Sequence, residues 1–250
     1  MSNVNENYSL KQYMQEIINE KIKIFDNLIR WGEQDKEQFA QLLSELEKPF
    51  DKSKETTKDK GDRLEKLVEF IIKKSFFYDI YKNIHTETNE IDEIIVLSEQ
   101  GKQALETFGL SKDLLPTEHE IFLGECKNYK TSLGVTYVGK FYSLLVATDI
   151  PFGLVFTQNG LSGDTEGFKD AYGLTKVLRI VEKYEHNREL SILTFTNEDY
   201  HLLLEGRTFF ELIKAKKLEL QLASNYQNFI RDNMHESVEE INKSIQERLL

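Results

Sequence analysis

Short apolar runs that alternate with longer amphipathic segments constrain the fold of this chain. The runs IDEIIVL, IFLGEC, FGLVFT and LSILTFT have the length of strands, and the segments between the later runs have apolar residues at helical spacing. Three strands in succession, starting with FFYDIYKNI, predict an antiparallel meander, and strands joined through helices predict parallel pairing by right-handed crossovers. The order of elements therefore predicts an α/β fold with a mixed β-sheet flanked by helices.

Helical patterns at both ends predict extensions on this α/β domain. Between residues 8 and 47 apolar residues recur at three- and four-residue steps, and Gly32 separates two predicted helices. The polar segment that follows begins with Pro49 and lacks periodicity, which is typical of a linker. The chain is therefore divided into a helical extension (1–48), a linker (49–60), the α/β domain (61–222) and a helical tail (223–250).

Composition narrows the environment and the partners. The chain has 250 residues and one cysteine, which excludes a disulfide framework or a cysteine-rich zinc site. Its apolar runs are too short to span a bilayer and its start lacks a signal-peptide core, so we expect a cytoplasmic protein that does not bind membranes. The net charge of -11 argues against a surface that binds nucleic acid everywhere, which leaves local basic stretches at 51–63 and 213–217.

Charged residues at the ends of two predicted strands suggest a catalytic site. Glu125 and Lys127 follow the apolar run IFL and, two residues apart, point to the same face; Asp92 stands near the start of the preceding strand. If these strands pair, the three side chains converge at one sheet edge, with Glu65 on the helix RLEKLVEFIIKK as a fourth candidate. Converging carboxylates suit Mg²⁺, which can activate a water and neutralise charge on a phosphodiester, while Lys127 positions that water or stabilises charge.

Simpler interpretations of the same residues stay open at this stage. Glu125 and Lys127 also fit a solvated ion pair, Asp92 a strand start, and Glu65 the flank of an amphipathic helix. Cys126 alternates to the opposite face, so we interpret it as a buried thiol and not as a nucleophile. The loop QNGLSG has no phosphate-binding pattern and is interpreted as a connecting turn.

The segments GDRLEKLVEF, TNEIDEIIVL and FLGECKNY, in this order, resemble the PD-(D/E)xK nuclease superfamily, specifically the Mrr-like (type IV) restriction endonucleases. The resemblance covers roughly residues 60–220. It implies a restriction-endonuclease-like fold and a catalytic site of Glu65, Asp92, Glu125 and Lys127. In it, Glu65, Asp92 and Glu125 hold Mg²⁺, with Mn²⁺ as a substitute. Ile91 stands where that family has proline, and the segment between Asp92 and Glu125 is long.

The resemblance implies a hydrolase that cleaves DNA phosphodiester bonds in prokaryotic restriction or anti-phage defence. Expected partners are DNA, with RNA or single-stranded DNA left open, and a second copy or a defence protein bound through the terminal helices. Tyr137 and Lys140, on the helix after the triplet, are candidates for further site residues. The alternative is a catalytically silent nuclease-fold subunit that binds or scaffolds a defence partner.

Overall fold

A single five-stranded sheet forms the centre of the protein. The computed structural model describes residues 9–51, 53–85, 90–163 and 170–222. Within them the strands lie in the order β1-β2-β3-β4-β5, with β1, β2 and β3 antiparallel and β3, β4 and β5 parallel. Their bounds are β1 Tyr78–His85, β2 Glu90–Leu97, β3 Ile121–Cys126, β4 Phe152–Phe156 and β5 Ser191–Phe195. The predicted α/β class, meander and parallel crossovers are confirmed.

Eight α-helices surround the sheet in the described ranges. Their bounds are α1 Leu10–Ile29, α2 Glu33–Glu47, α3 Thr57–Lys73, α4 Glu99–Thr107, α5 Val135–Thr148, α6 Ala171–Glu185, α7 Asn197–Leu204 and α8 Phe209–Leu222. As predicted, Gly32 separates the first two helices. Helix α3 starts earlier than predicted, inside the segment interpreted as a linker. Thr56 and Asp59 cause this start, because each side chain accepts a hydrogen bond from the other's backbone N–H at 3.2 and 2.7 Å.

The two faces of the sheet are covered by different helices. One core cluster joins the sheet to α1, α2, α3, α7 and α8, and a second joins the opposite face to α5 and α6. Phe25 and Ile29 of α1 and Phe39 and Leu43 of α2 belong to the first cluster. The domain boundary at residue 48 stays a prediction, but the helices before it contribute to the main core.

Helix α8 presents only part of a predicted basic stretch to solvent. In the stretch 213–217, Ile213, Ala215 and Lys216 are buried, whereas Lys214 is exposed and Lys217 is partly exposed. The tail 223–250 lies outside the described residues, so its predicted helix stays a prediction. Within the described ranges, no helix combines the length and the apolar character needed to cross a bilayer.

Candidate active site

The point where β2 and β3 separate positions the candidate site. Their antiparallel register runs from Val96 opposite Ile121 to Glu93 opposite Gly124. Beyond that pair β3 no longer pairs with β2 but continues to pair with β4. The Lys127 N–H, for example, donates to the Phe156 carbonyl at 2.9 Å. Asp92 therefore lies where the two strands diverge, and its side chain faces the end of β3.

Three of the four predicted site residues meet here. The Lys127 ammonium lies 2.7 Å from Asp92 Oδ2 and 2.9 Å from Glu125 Oε1. Asp92 Oδ2 also accepts a hydrogen bond of 3.3 Å from the Cys126 backbone N–H. The three side chains are between 21% and 25% exposed, so the cluster is shielded but reachable from solvent.

The two carboxylates keep Lys127 charged. Burial of the ammonium acts to lower the pKa of Lys127, but the charge of Glu125 and the hydrogen bonds to Asp92 and Glu125 outweigh it and raise the pKa above its ordinary value. At neutral pH the cluster therefore contains a fixed cation between two carboxylates. Such a lysine donates hydrogen bonds and stabilises negative charge, and it does not serve as a proton acceptor.

A buried glutamate that sequence reasoning missed lies beside this cluster. Glu93 is fully buried on the side of the sheet covered by α3, and its Oε1 accepts a hydrogen bond from Cys126 Sγ at 2.8 Å. Its Oε2 is buried without a hydrogen-bond partner. Burial raises the pKa of Glu93 to about 8; the Cys126 hydrogen bond opposes this shift, and the charges of Asp92, Glu65 and Glu125 add to it.

Cys126 follows the orientation predicted for it, and its thiol also contacts a carboxyl group. It packs against the first core cluster and bonds to Glu93. Burial, followed by the charge of Glu93, raises the pKa of its thiol well above the ordinary value, which leaves it protonated and unreactive. The strand alternation could have revealed Glu93, because it shares the parity of the buried residues Ile95 and Leu97.

Glu65 is placed near Glu93 and not in the Lys127 cluster. It lies on α3, partly buried, and its charge acts on Glu93, Cys126 and Lys82. Within the described residues its carboxylate makes no hydrogen bond or ion pair. The structure thus brings Asp92, Glu125 and Lys127 into contact and leaves Glu65 on the α3 side of the same region.

Tyr137 contacts Tyr129, on the loop that follows the cluster, whereas Lys140 is exposed on α5. The Tyr137 ring lies 5.3 Å from the ring of Tyr129, measured between centroids. The pKa of Tyr129 is raised, first by a hydrogen bond with Tyr137, and the charges of Lys127 and Glu125 also act on it. Two tyrosines therefore stand next to the charged residues, on the loop after β3 and on the first turn of α5.

Across the part of the chain that the structure describes, no group of three or more His, Cys, Asp or Glu side chains is arranged to hold a metal ion. Asp92 and Glu125 share the ammonium group of Lys127.

A second polar cluster lies away from this site, in a cleft of about 230 Å³ beside β5. Lys216, only 6% exposed, forms an ion pair of 2.9 Å with the fully buried Asp199. The Tyr172 hydroxyl donates a 2.5 Å hydrogen bond to Glu219, and burial raises the pKa of that carboxyl group. These contacts join α6, α7 and α8.

Comparisons of the chain with protein-family models, with curated proteins and with solved structures found no match.

Proposed function

We propose that the protein is a metal-dependent nuclease of restriction-endonuclease-like fold, which hydrolyses phosphodiester bonds of DNA in a prokaryotic defence setting. The observation that carries the proposal is the contact of Asp92, Glu125 and Lys127 at the point where β2 and β3 separate. Asp92 and Glu125 are 33 positions apart in the chain. The nuclease motif requires its aspartate and its Glu-x-Lys triplet to lie together in this way.

The donor set fits Mg²⁺. This ion is commonly held by one or two carboxylates and takes its other ligands from water and substrate phosphate. Asp92 and Glu125 would supply the two carboxylates, and Glu65 on α3 is a further candidate ligand. When bound, the ion would lower the pKa of an attacking water and neutralise charge on the phosphate.

Lys127 would then act as a fixed cation. Because Asp92 and Glu125 raise its pKa, it keeps its proton and can donate hydrogen bonds to a phosphate oxygen or to the attacking water. Its two present contacts also hold the carboxylates of β2 and β3 in place. Removing its charge while leaving its length, as in Lys127→Met, separates this role from the shape of the side chain.

The first test is cleavage of supercoiled plasmid DNA by the purified protein in Mg²⁺, in Mn²⁺ and in EDTA. We expect metal-dependent nicking or linearisation that is lost in Lys127→Met and in Glu125→Gln. A matched control is the pair Lys82 and Glu69, which form an ion pair of 2.5 Å and are about as exposed. Lys82→Met should retain cleavage. Cleavage that survives Lys127→Met, or that needs no metal, would contradict the proposal.

An exposed apolar stripe on α1 favours a second candidate function, a nuclease-fold subunit that acts through association. Large apolar side chains recur along this helix at helical spacing, and each is at least 46% exposed: Leu10, Tyr13, Met14, Ile18 and Ile22. Such a stripe costs free energy in water unless another surface covers it. We propose a second copy of the chain as that surface.

Light scattering on the full chain tests this association. Met14→Ser with Ile18→Ser should shift the protein from dimer to monomer, while Ile180→Ser, an equally exposed apolar residue on α6, should not. A protein that is a monomer at all concentrations would remove the homodimer. Two results together would favour the scaffold function over the nuclease. The protein would cleave no plasmid in any metal, and Met14→Ser with Ile18→Ser, but not Lys127→Met, would abolish protection of cells against phage.

A further inference from the structure

Two lysines lie on neighbouring segments next to the candidate site. Asn128, which follows Lys127, donates a hydrogen bond of 2.7 Å from Nδ2 to the carbonyl of Lys60, in the first turn of α3. The loop that carries Lys130 is thereby attached to the start of that helix. Burial, and then the charge of Lys130, lower the pKa of Lys60.

Neither lysine has a carboxylate partner within the described residues, although the chain contains 43 acidic residues. Many other lysines of this protein do: Lys36, Lys48, Lys73, Lys82, Lys102 and Lys112 all form ion pairs. Two like charges on neighbouring segments without a counter-charge repel each other, and an anion bound near both relieves that repulsion. A nucleic-acid backbone offers such an anion at every phosphate.

An aromatic ring lies on the same loop. Tyr129 stands between Lys127 and Lys130 and is 43% exposed, with the ring of Tyr137 beside it. Proteins that bind single strands combine lysines along the backbone with aromatic rings on which unstacked bases stack. Lys127 and Lys130 are three residues apart, so this part of the loop spans at most about 11 Å, which is about three nucleotide spacings along one strand.

We propose that Lys60, Lys130 and Tyr129 form a binding site for a single-stranded polynucleotide beside the Asp92, Glu125 and Lys127 cluster. The two lysines bind a backbone phosphate, and Tyr129 stacks against the neighbouring base. The site places the strand so that an adjacent phosphodiester group lies at the carboxylates. This inference rests on the proposed nuclease function for its choice of nucleic acid and adds a preference for unpaired strands.

Fluorescence anisotropy with the full-length protein in EDTA tests the site without cleavage. The probes are a labelled DNA strand of about 16 nucleotides, the RNA of the same sequence and the DNA duplex, titrated from about 50 to 300 mM NaCl. We expect single strands to bind more tightly than the duplex. Lys60→Gln and Lys130→Gln should each weaken binding and reduce the salt slope by about one unit or less, and Tyr129→Ala should weaken it at least about fivefold.

Lys183→Gln is the matched control, because Lys183 is exposed near the far end of α6. It should leave affinity and salt slope nearly unchanged, and Tyr129→Phe should retain the stacking. Three results would each overturn the inference. The protein could bind no probe, it could bind the duplex as tightly as single strands, or its affinity could be unchanged in Lys60→Gln and Lys130→Gln.

The outcome for the site is separable from the outcome for catalysis. Lysine-dependent binding of single strands without cleavage in any metal would retain the binding site and reject the nuclease. Metal-dependent cleavage that Lys60→Gln and Lys130→Gln do not slow, together with unchanged binding, would retain the nuclease and reject the site.

Discussion

The carboxyl group of Glu93 fills the space over Gly124, the residue directly opposite it on the neighbouring strand. A Cβ atom at position 124 would collide with Glu93 Oε2 and lie 3.0 Å from its Cβ. Glycine at the centre of a sheet usually weakens a strand, so its presence here reflects the need for that space. Glu93 directly follows Asp92 and Gly124 directly precedes Glu125, so the packing of this pair fixes the spacing of β2 and β3 at the site.

Gly124→Ala is therefore expected to lower the free energy of unfolding by about 1 to 3 kcal/mol, the usual cost of overpacking a core. Urea denaturation followed by circular dichroism measures it. The double variant Gly124→Ala with Glu93→Ala should lose less than the sum of the single changes, because the collision is then absent.

Gly139 on α5 provides the control for that change. No heavy atom lies within 4 Å of a Cβ added there, and the position is inside a helix. Gly139→Ala should raise the free energy of unfolding by up to about 1 kcal/mol, since alanine is the better helix former. Equal losses at both glycines would mean that Glu93 does not occupy the space described.

Removal of the Lys127 charge should increase the stabilisation that Mg²⁺ gives to the protein. In EDTA, Lys127→Met leaves Asp92 and Glu125 close together without their shared cation, which should cost about 1 to 2 kcal/mol for groups that remain partly solvated. Mg²⁺ supplies a new counter-charge, so it should raise the melting temperature of Lys127→Met more than that of the wild type. Differential scanning calorimetry gives both values.

The comparison variant for this measurement is Lys82→Met. Lys82 lies on the edge strand β1, and its ammonium group pairs with Glu69 of α3. Mg²⁺ should affect it no more than it affects the wild type. A Mg²⁺ response that is the same in Lys127→Met, Lys82→Met and wild type would argue against a metal site at Asp92 and Glu125.

The buried ion pair of Lys216 and Asp199 makes a separate prediction about stability. Lys216→Met leaves the carboxylate of Asp199 without its cation in a fully buried position, and breaking such a pair costs about 3 to 5 kcal/mol. Adding Asp199→Asn should recover much of the loss. The exposed pair of Lys36 and Glu33 is the contrast, because Lys36→Met should change stability by about 0.5 kcal/mol or less.

Glu219 predicts how stability changes with pH. Burial raises its pKa in the folded protein above the ordinary value, so the folded state binds a proton that the unfolded state releases. Its contribution to stability is therefore present below the ordinary pKa and is lost as pH rises through the folded pKa. Glu219→Gln cannot lose a proton, so its stability relative to wild type should increase as pH rises from about 4 to 8.

Tyr172→Phe extends this measurement. The Tyr172 hydroxyl donates to Glu219 and lowers its pKa by stabilising the charged form. Without it the pKa should rise further, and the loss of stability with increasing pH should become larger than in wild type. Denaturation curves at several pH values show both effects, and a Tyr172→Phe curve parallel to that of wild type would contradict the assignment.

Much of the fold was predictable because its signals are local. The helical spacing of α1, α2 and α3, the separation of the first two helices at Gly32 and the order of the five strands follow from periodicity and from breaking residues. The start of α3 was misplaced because the capping pair Thr56 and Asp59 lies in a polar stretch that resembles a linker. That capping signal is itself local and could have been recognised.

Part of the candidate site was also predictable from local signals, and part of it was not. Alternation along β3 predicted that Glu125 and Lys127 share one face and that Cys126 turns to the other, which the structure confirms. It did not predict that Glu93 would be buried beside Cys126 or that Glu65 would act on that pair. Those relations depend on the register of β2 against β3 and on the packing of α3.

The sequence by itself determined the α/β class, the order of the elements and the presence of charged residues at strand ends, because periodicity and chain breaks act over a few residues. Only the tertiary structure decided which charges meet. The contact of Asp92 with Lys127 joins residues 35 positions apart, and the burial of Lys216 beside Asp199 depends on the packing of neighbouring helices. Distances across a sheet and the loss of solvent are properties of the packed chain, and no local pattern encodes them.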